Sequence, residues 1–258
     1  MFSHLRLLTD LSERAHAALP VARALALACD ADLSLTYASH SPEERAEAAR
    51  VLAPIVEGLR EDDVHARLEL VEGDVDDAVA RSTGAGSLLI VGHTGAGALE
   101  GLVLGSNTRR VIRQARCPVL VAGRQAFVGL RALCCALELH GPGPVNLAVA
   151  LARAVEASLR FVHVYSPETE RSADELLTAL EAHVGELLEP GAGGGQRVRF
   201  EVGVAESAAE GVVEASRGVD LLIVGHNTAS AIVRFAWGSS AESIAEHADC
   251  PVLLVPEP

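Results

Sequence analysis

The chain has 258 residues, 49% of them hydrophobic, with 35 acidic against 21 basic side chains and a formal net charge of −14. That balance excludes a general nucleic-acid surface, which needs clustered cations, and since every basic side chain is arginine it also excludes a P-loop, Schiff-base or general-base lysine. No apolar run approaches the roughly 20 residues of a membrane span, and the opening MFSHLRLLTD places Asp10 too early for a secretory signal, so a cytoplasmic location away from membranes is expected.

Leu5–Thr9 reads as a short strand ending at Asp10, with Ser12 two residues on. Arg14–Cys29 has the spacing of one amphipathic helix rich in Ala and Leu. Leu33–Tyr37 is the next strand, and Ser41-Pro42 opens a helix over Pro42–Glu57. His65–Val71 alternates with period two, and Gly73-Asp74 supplies a turn and N-cap for a helix reaching about Thr83. The strand Leu88–Val91, the helix Ser106–Gln114 and the strand Val119–Val121 complete the first half. Strands alternating with helices imply a parallel sheet covered on both faces.

Ala122–Gly129 reads as a linker, after which the order repeats. The second half predicts strands at Leu130–Ala136, Leu159–Val164, Val198–Val204, Leu221–Val224 and Val252–Val255. Between them lie helices over Val145–Ala157, within Ser172–Leu188, from Ser207, and over Ser239–His247. PGAGGG at Pro190–Gly195 is the one low-complexity patch and reads as a flexible surface loop.

Leu88–Val121 and Leu221–Leu254 match without a gap, pairing Gly92 with Gly225 and Pro118 with Pro251. The chain is therefore read as two copies of one domain, each of about 130 residues and able to bury a normal core. In the first copy Val91 is followed by a loop carrying Gly92, Gly95, Gly97 and Gly101, and Gly105-Ser106-Asn107 then opens a helix. Strand, glycine loop and helix start form an anion cradle, because the first N–H groups of a helix lack internal partners and its dipole favours negative charge. Glycine permits positive φ and close approach of a phosphate to the backbone. Of five cysteines, Cys29, Cys117 and Cys250 read as core residues, and the vicinal Cys134-Cys135 as a strand pair facing opposite sides. With no CxxC pair, neither a zinc site nor a redox motif is expected.

The spacing Gly92-His93-Thr94-Gly95, nine residues to Leu104, then Gly105-Ser106 resembles the universal stress proteins, here in tandem form. Asp10 with Ser12, the turn Val71–Asp74 and the closing Cys-Pro-Val-Leu extend the likeness over essentially the whole chain. The resemblance implies an α/β fold of two tandem open five-stranded parallel sheets sandwiched by helices, adenine nucleotide alpha hydrolase-like with strand order 3-2-1-4-5. Residues 1–125 would carry a complete nucleotide motif and 126–258 a degenerate one. It also implies ATP with Mg²⁺ or Mn²⁺ at the C-terminal strand edge, where open α/β sheets bind ligands. Carried over by position, Asp10 would face the nucleoside and the backbone of Ala38 would meet adenine. Gly92, Thr94 and Gly95 would lie by ribose and phosphates, and Gly105, Ser106 and Asn107 would take the phosphate tail.

In the second half Gly225, Gly238, Ser239 and Ser240 keep their places, but Ala136 stands for Asp10 and Thr228 for Gly95. Pro142–Pro144 could shift that alignment and bring in Glu138, while Phe235 and Trp237 add bulk. Nucleotide is therefore expected mainly in the N-terminal half. The closing strands would be exposed edges in isolated domains, and in the family such edges meet, so an internal pseudo-dimer is implied, with a homodimer possible.

Several residues carry two readings. Asp10 serves the nucleoside or only the helix start, and Ser12 is a cap rather than a nucleophile. His93 and His226 share a loop position through function or through common descent. Asp62-Asp63 and Asp74-Asp76-Asp77 read as solvated turn and helix-start charges, and Arg109-Arg110 either reach phosphates or solvate a helix face. The loop offers no cation and no base to position a nucleophile, so no catalytic residue is expected and any ATP hydrolysis should be slow. The first reading is an ATP-binding stress or signalling module with a protein partner. The alternatives are an enzyme of a related nucleotide-binding fold (slow ATPase, nucleotidyl transferase or dinucleotide oxidoreductase) and a nucleotide-free assembly module. Against the oxidoreductase, Gly95-x-Gly97-x-x-x-Gly101 misses GxGxxG by one residue.

Overall fold

The computed structural model describes residues 1–82, 84–94, 104–139, 143–188, 197–227 and 234–257. The chain folds as two compact units, Met1–Phe127 and Val128–Pro258. The first contains β1 (His4–Leu8), α1 (Glu13–His16), α2 (Leu19–Cys29), β2 (Asp32–Ser39), α3 (Pro42–Glu61), β3 (Ala66–Glu72), α4 (Val75–Ala80), β4 (Ser87–Val91), α5 (Ser106–Gln114) and β5 (Val119–Val121). Its strands run parallel in the order β3-β2-β1-β4-β5, which is the expected 3-2-1-4-5. Leu5, Leu7, Leu33, Leu35, Leu88, Leu89, Ile90 and Leu120 are fully buried between the helical layers. Each such side chain contributes roughly 2 kcal/mol of hydrophobic stabilisation.

The expected single helix over Arg14–Cys29 is broken in two. Pro20 has no N–H to donate and its ring would strike the carbonyl of His16. The chain therefore ends α1 at His16 and restarts at Leu19, with Pro20 in the first turn, where a missing donor costs nothing. Asp30 closes α2 in the left-handed conformation, φ 49°, its N–H turned back onto the last carbonyls. By contrast α3 outruns its expected end, passing Pro54 to reach Glu61, because Ala48, Leu52, Val56 and Leu59 continue one buried stripe. Ser41 caps it by accepting the N–H of Glu44 at 3.1 Å. The N-cap predicted at Asp74 is present, and Asp77 makes it a reciprocal capping box, but α4 stops at Ala80.

The second unit contains β6 (Ala132–Ala136), α6 (Val145–Ala154), β7 (Ser158–Tyr165), α7 (Ala173–Leu187), β8 (Val198–Val204), α8 (Ala208–Ala215), β9 (Leu221–Asn227), α9 (Arg234–His247) and β10 (Val252–Glu257). Its sheet is again parallel, ordered β8-β7-β6-β9-β10. Two elements differ from expectation. Pairing with β10 carries β9 on to Asn227, and α9 opens at Arg234, ahead of Ser239. Pro190–Gly195 lies outside the described residues. All five cysteines are free thiols. Burial pushes Cys134 and Cys250 up to about 11, so both stay protonated and unreactive at neutral pH. Among the described residues no helix is long and apolar enough to cross a membrane.

Candidate functional site

In the first unit the chain leaves β1 towards β2 on one side, while β4 lies on the other side of β1. A crevice opens at such a switch point, outside the C-terminal strand ends. Here it is a cavity of about 900 Å³ bounded by the ends of β1, β2 and β4, the starts of α3 and α4, and the first turn of α5. Asp10, Ala38, Gly92, Thr94, Gly105, Ser106 and Asn107 all line it. Gly95 lies outside the described residues.

Hydrogen bonds fix this wall from both sides. The Asp10 carboxylate accepts from the Ser12 N–H at 3.1 Å and the Ser12 hydroxyl at 2.6 Å. Ser12 in turn accepts the Ala15 N–H at 3.1 Å, so Ser12 is the cap and Asp10 both holds the turn and faces the cavity. At the opposite wall the Thr108 hydroxyl donates to the Gly92 carbonyl at 2.8 Å, and the Gly105 N–H donates to the carbonyl of buried His93 at 3.1 Å. These two bonds clamp the start of α5 onto the end of β4. Among the described residues no side chain caps α5, and its first turn carries no acidic residue. The positive end of the helix faces the cavity.

Gly105 sits at φ −57°, ψ 148°, which any L-residue adopts. Its backbone therefore does not require glycine.

The structure adds lining residues that sequence reasoning missed. Thr36, Tyr37, Ser39, His40, Ser41 and Glu44 come from the end of β2 and the start of α3. Their signal was position alone, since they end the strand next to Asp10. Burial, then the carboxylates of Glu44 and Asp10, push the Tyr37 phenol up, so it remains a hydrogen-bond donor. Glu44 accepts the Ser39 hydroxyl. Thr36 is 1% exposed, and its hydroxyl has no partner among the described residues. Asp74 and Arg110 close the side nearest α4. Burial draws the Asp74 carboxyl up, but the N–H groups of Asp76 and Asp77 and the Arg110 guanidinium outweigh it and hold it low.

The second unit arranges the equivalent residues differently. Ala136 pairs with Val162 as Leu8 pairs with Thr36, so the registers place Glu138, and not the expected Ala136, at the position of Asp10. Ala136 is buried at the end of β6, Gly225 lies within β9, and Thr228 falls outside the described residues. Because α9 opens at Arg234, Gly238, Ser239 and Ser240 fall in its second turn. There their N–H groups belong to the helical ladder and not to a ligand. Val164 on β7 occupies the place of Ala38, and Gly211 on α8 that of Ala78. A Cβ on Gly211 would collide with the Val164 side chain. The helix rests on Val164 at the level where Ala38 and Ala78 face the cavity in the first unit. No group of three or more His, Cys, Asp or Glu among the described residues could hold a metal ion.

No curated protein matches the chain. Among solved structures, a universal stress protein from Archaeoglobus fulgidus superimposes with a TM-score of 0.79 at 17% identity, covering 98% of each chain. A putative universal stress protein from Pseudomonas aeruginosa gives 0.71 at 16%, covering 99% of this chain and 94% of its own. The cytoplasmic domain of a prokaryotic cation chloride cotransporter gives 0.60 at 16%, covering 98% and 95%. At such identities these likenesses show the fold alone, and the third shows it in a different setting. The model of the universal stress protein family matches twice, over residues 1–123 and 143–256. The chain therefore belongs to the universal stress protein family and carries its domain in tandem.

Proposed function

We propose that the chain is a cytoplasmic ATP-binding stress or signalling module that holds one nucleotide in its first unit. The observation that carries this reading is the cavity, whose size suits a nucleotide. It joins the end of β2 at Ala38 to the open helix start at Gly105–Asn107. Adenine would meet the Ala38 backbone, the ribose would lie by Asp10 and Gly92, and the phosphates would rest on the first N–H groups of α5. Asp10, Glu44 and Asp74 face the same space, so a polyphosphate needs added positive charge. Mg²⁺ or Mn²⁺ would enter bound to the phosphates and supply that charge. Binding in the second unit is weak or absent, given the position of Gly238 inside α9 and of Val164 against α8.

Calorimetric titration of the full chain with ATP and MgCl₂ tests this, with one equivalent expected. Two equivalents of similar affinity would overturn the restriction to the first unit. No binding would overturn the nucleotide reading and favour an assembly module. Sustained release of phosphate at an enzymatic rate would favour the ATPase alternative.

A further inference from the structure

We infer that Arg110 is the phosphate-reading cation of the cavity, held in reserve by Asp74 and Asp76 and transferred to the phosphates of an incoming nucleotide. The inference rests on the nucleotide reading above and adds a positioning residue to it. Arg110 lies one turn beyond Ser106 and Asn107 on α5. Helical side chains lean towards the N-terminus, so its guanidinium covers the turn on which the phosphates would rest. It lines the cavity with those two residues. Guanidinium is also the group best matched to phosphate oxygens, through paired charge-assisted hydrogen bonds.

Its present partners hold it loosely. The Arg110 Nη2 donates to Asp74 Oδ2 at 3.1 Å and to Asp76 Oδ2. The three side chains are 43%, 46% and 33% exposed, a degree of hydration at which ion pairs are weak and readily exchanged. Asp74 divides its work between its two oxygens. Its Oδ1 accepts the N–H groups of Asp76 and Asp77 at 2.9 and 3.4 Å, so α4 stays capped when Arg110 leaves Oδ2. In the second unit Ser207, Ala209 and Ser243 stand at the positions of Asp74, Asp76 and Arg110. Ser207 keeps the cap, while all three charges are missing together from the unit whose helix start is altered.

If Arg110 is shared in this way, Asp76 competes with the ligand. Titrations of the full chain with ATP–Mg²⁺ and with adenosine should be compared for the parent, Arg110→Gln, Asp76→Asn and the double variant. Arg110→Gln should weaken ATP about tenfold and leave adenosine unchanged, which also shows that the variant is folded. Asp76→Asn should strengthen ATP binding several-fold in the parent and have no effect beside Arg110→Gln. The inference is overturned if Arg110→Gln leaves ATP within about twofold, if it weakens adenosine equally, or if Asp76→Asn acts alike in both backgrounds. Failure of the parent protein to bind ATP at all is a different result, and it removes the nucleotide reading together with this one.

Discussion

Arg6 on β1 and Arg160 on β7 stand on different strands of their sheets, yet they make the same connection. Arg6 reaches Glu69 on β3 at 2.9 Å, and the Ala78 carbonyl and Ser82 hydroxyl beneath α4 at 3.1 and 2.6 Å. Arg160 reaches Glu201 on β8 at 3.0 Å and the Ala215 carbonyl at the end of α8 at 2.6 Å. Within each sheet the arginine has a register neighbour on the adjoining strand, Ser34 for Arg6 and Cys134 for Arg160. The cation has thus moved one strand sideways between the two copies while its glutamate and helix stayed in place.

This exchange predicts a rescue. Arg6→Cys should cost about 3 kcal/mol, because it strands the half-buried Glu69 carboxylate. Adding Ser34→Arg should restore most of that loss by recreating the arrangement of Cys134 and Arg160. Urea denaturation of the single and double variants measures both effects. A double variant no more stable than Arg6→Cys would show that the two arginines are not interchangeable.

Thr36 offers a simpler test. Its hydroxyl is buried without a partner among the described residues, at a cost that an isosteric methyl would not carry. Thr36→Val should therefore raise the stability of the ligand-free protein by about 1 kcal/mol. A lower melting temperature in the variant would mean that the hydroxyl is bonded in solution.

The strands and the glycine-bounded loop were legible because both are local patterns. Leu88–Val91 must be buried on both faces, and the spacing from Gly92 to Gly105 sits in one stretch of chain. The far wall of the cavity was not legible in the same way. Thr36, Glu44, Asp74 and Arg110 come from four separate elements, and only the order β3-β2-β1-β4-β5 brings those ends to one edge. Pro20 is easily overlooked because the Ala-Leu pattern continues on both sides of it, although its ring and missing N–H disfavour a helix interior. The pairing of Val164 with Gly211 could not be found from either residue alone, since each is ordinary until the helix is laid on the strand.

Gly105 can be tested without confusing backbone strain with loss of a ligand. Its φ and ψ suit valine, so Gly105→Val adds no backbone strain, and urea denaturation reports whether the side chain is accommodated at this buried position. The added methyl groups would stand where phosphate is expected, and ATP affinity should fall by more than about tenfold. Unchanged ATP affinity in a folded Gly105→Val protein would rule out the proposed phosphate position.

Acid should act on the helix caps. Glu175 accepts the Ser172 N–H at 2.8 Å and the Ser172 hydroxyl at 2.9 Å, and these bonds, the backbone one first, hold its carboxyl below the ordinary range. Asp74 is held low at the start of α4, where its bonds to backbone N–H groups and Arg110 outweigh the opposing effect of burial. In both cases the folded pKa lies below the unfolded value. The stabilisation is therefore fully present above the ordinary carboxylate range and is lost as pH falls through the folded pKa values. Thermal stability should be nearly level from about pH 7 to pH 5 and decline below about pH 4. Glu175→Gln keeps an acceptor for the Ser172 N–H but cannot titrate, so it should be less stable than the parent at pH 7 and lose less on acidification. Melting curves at about pH 7 and below about pH 4 decide the matter, because parallel losses in parent and variant would place the acid-sensitive groups elsewhere in the chain.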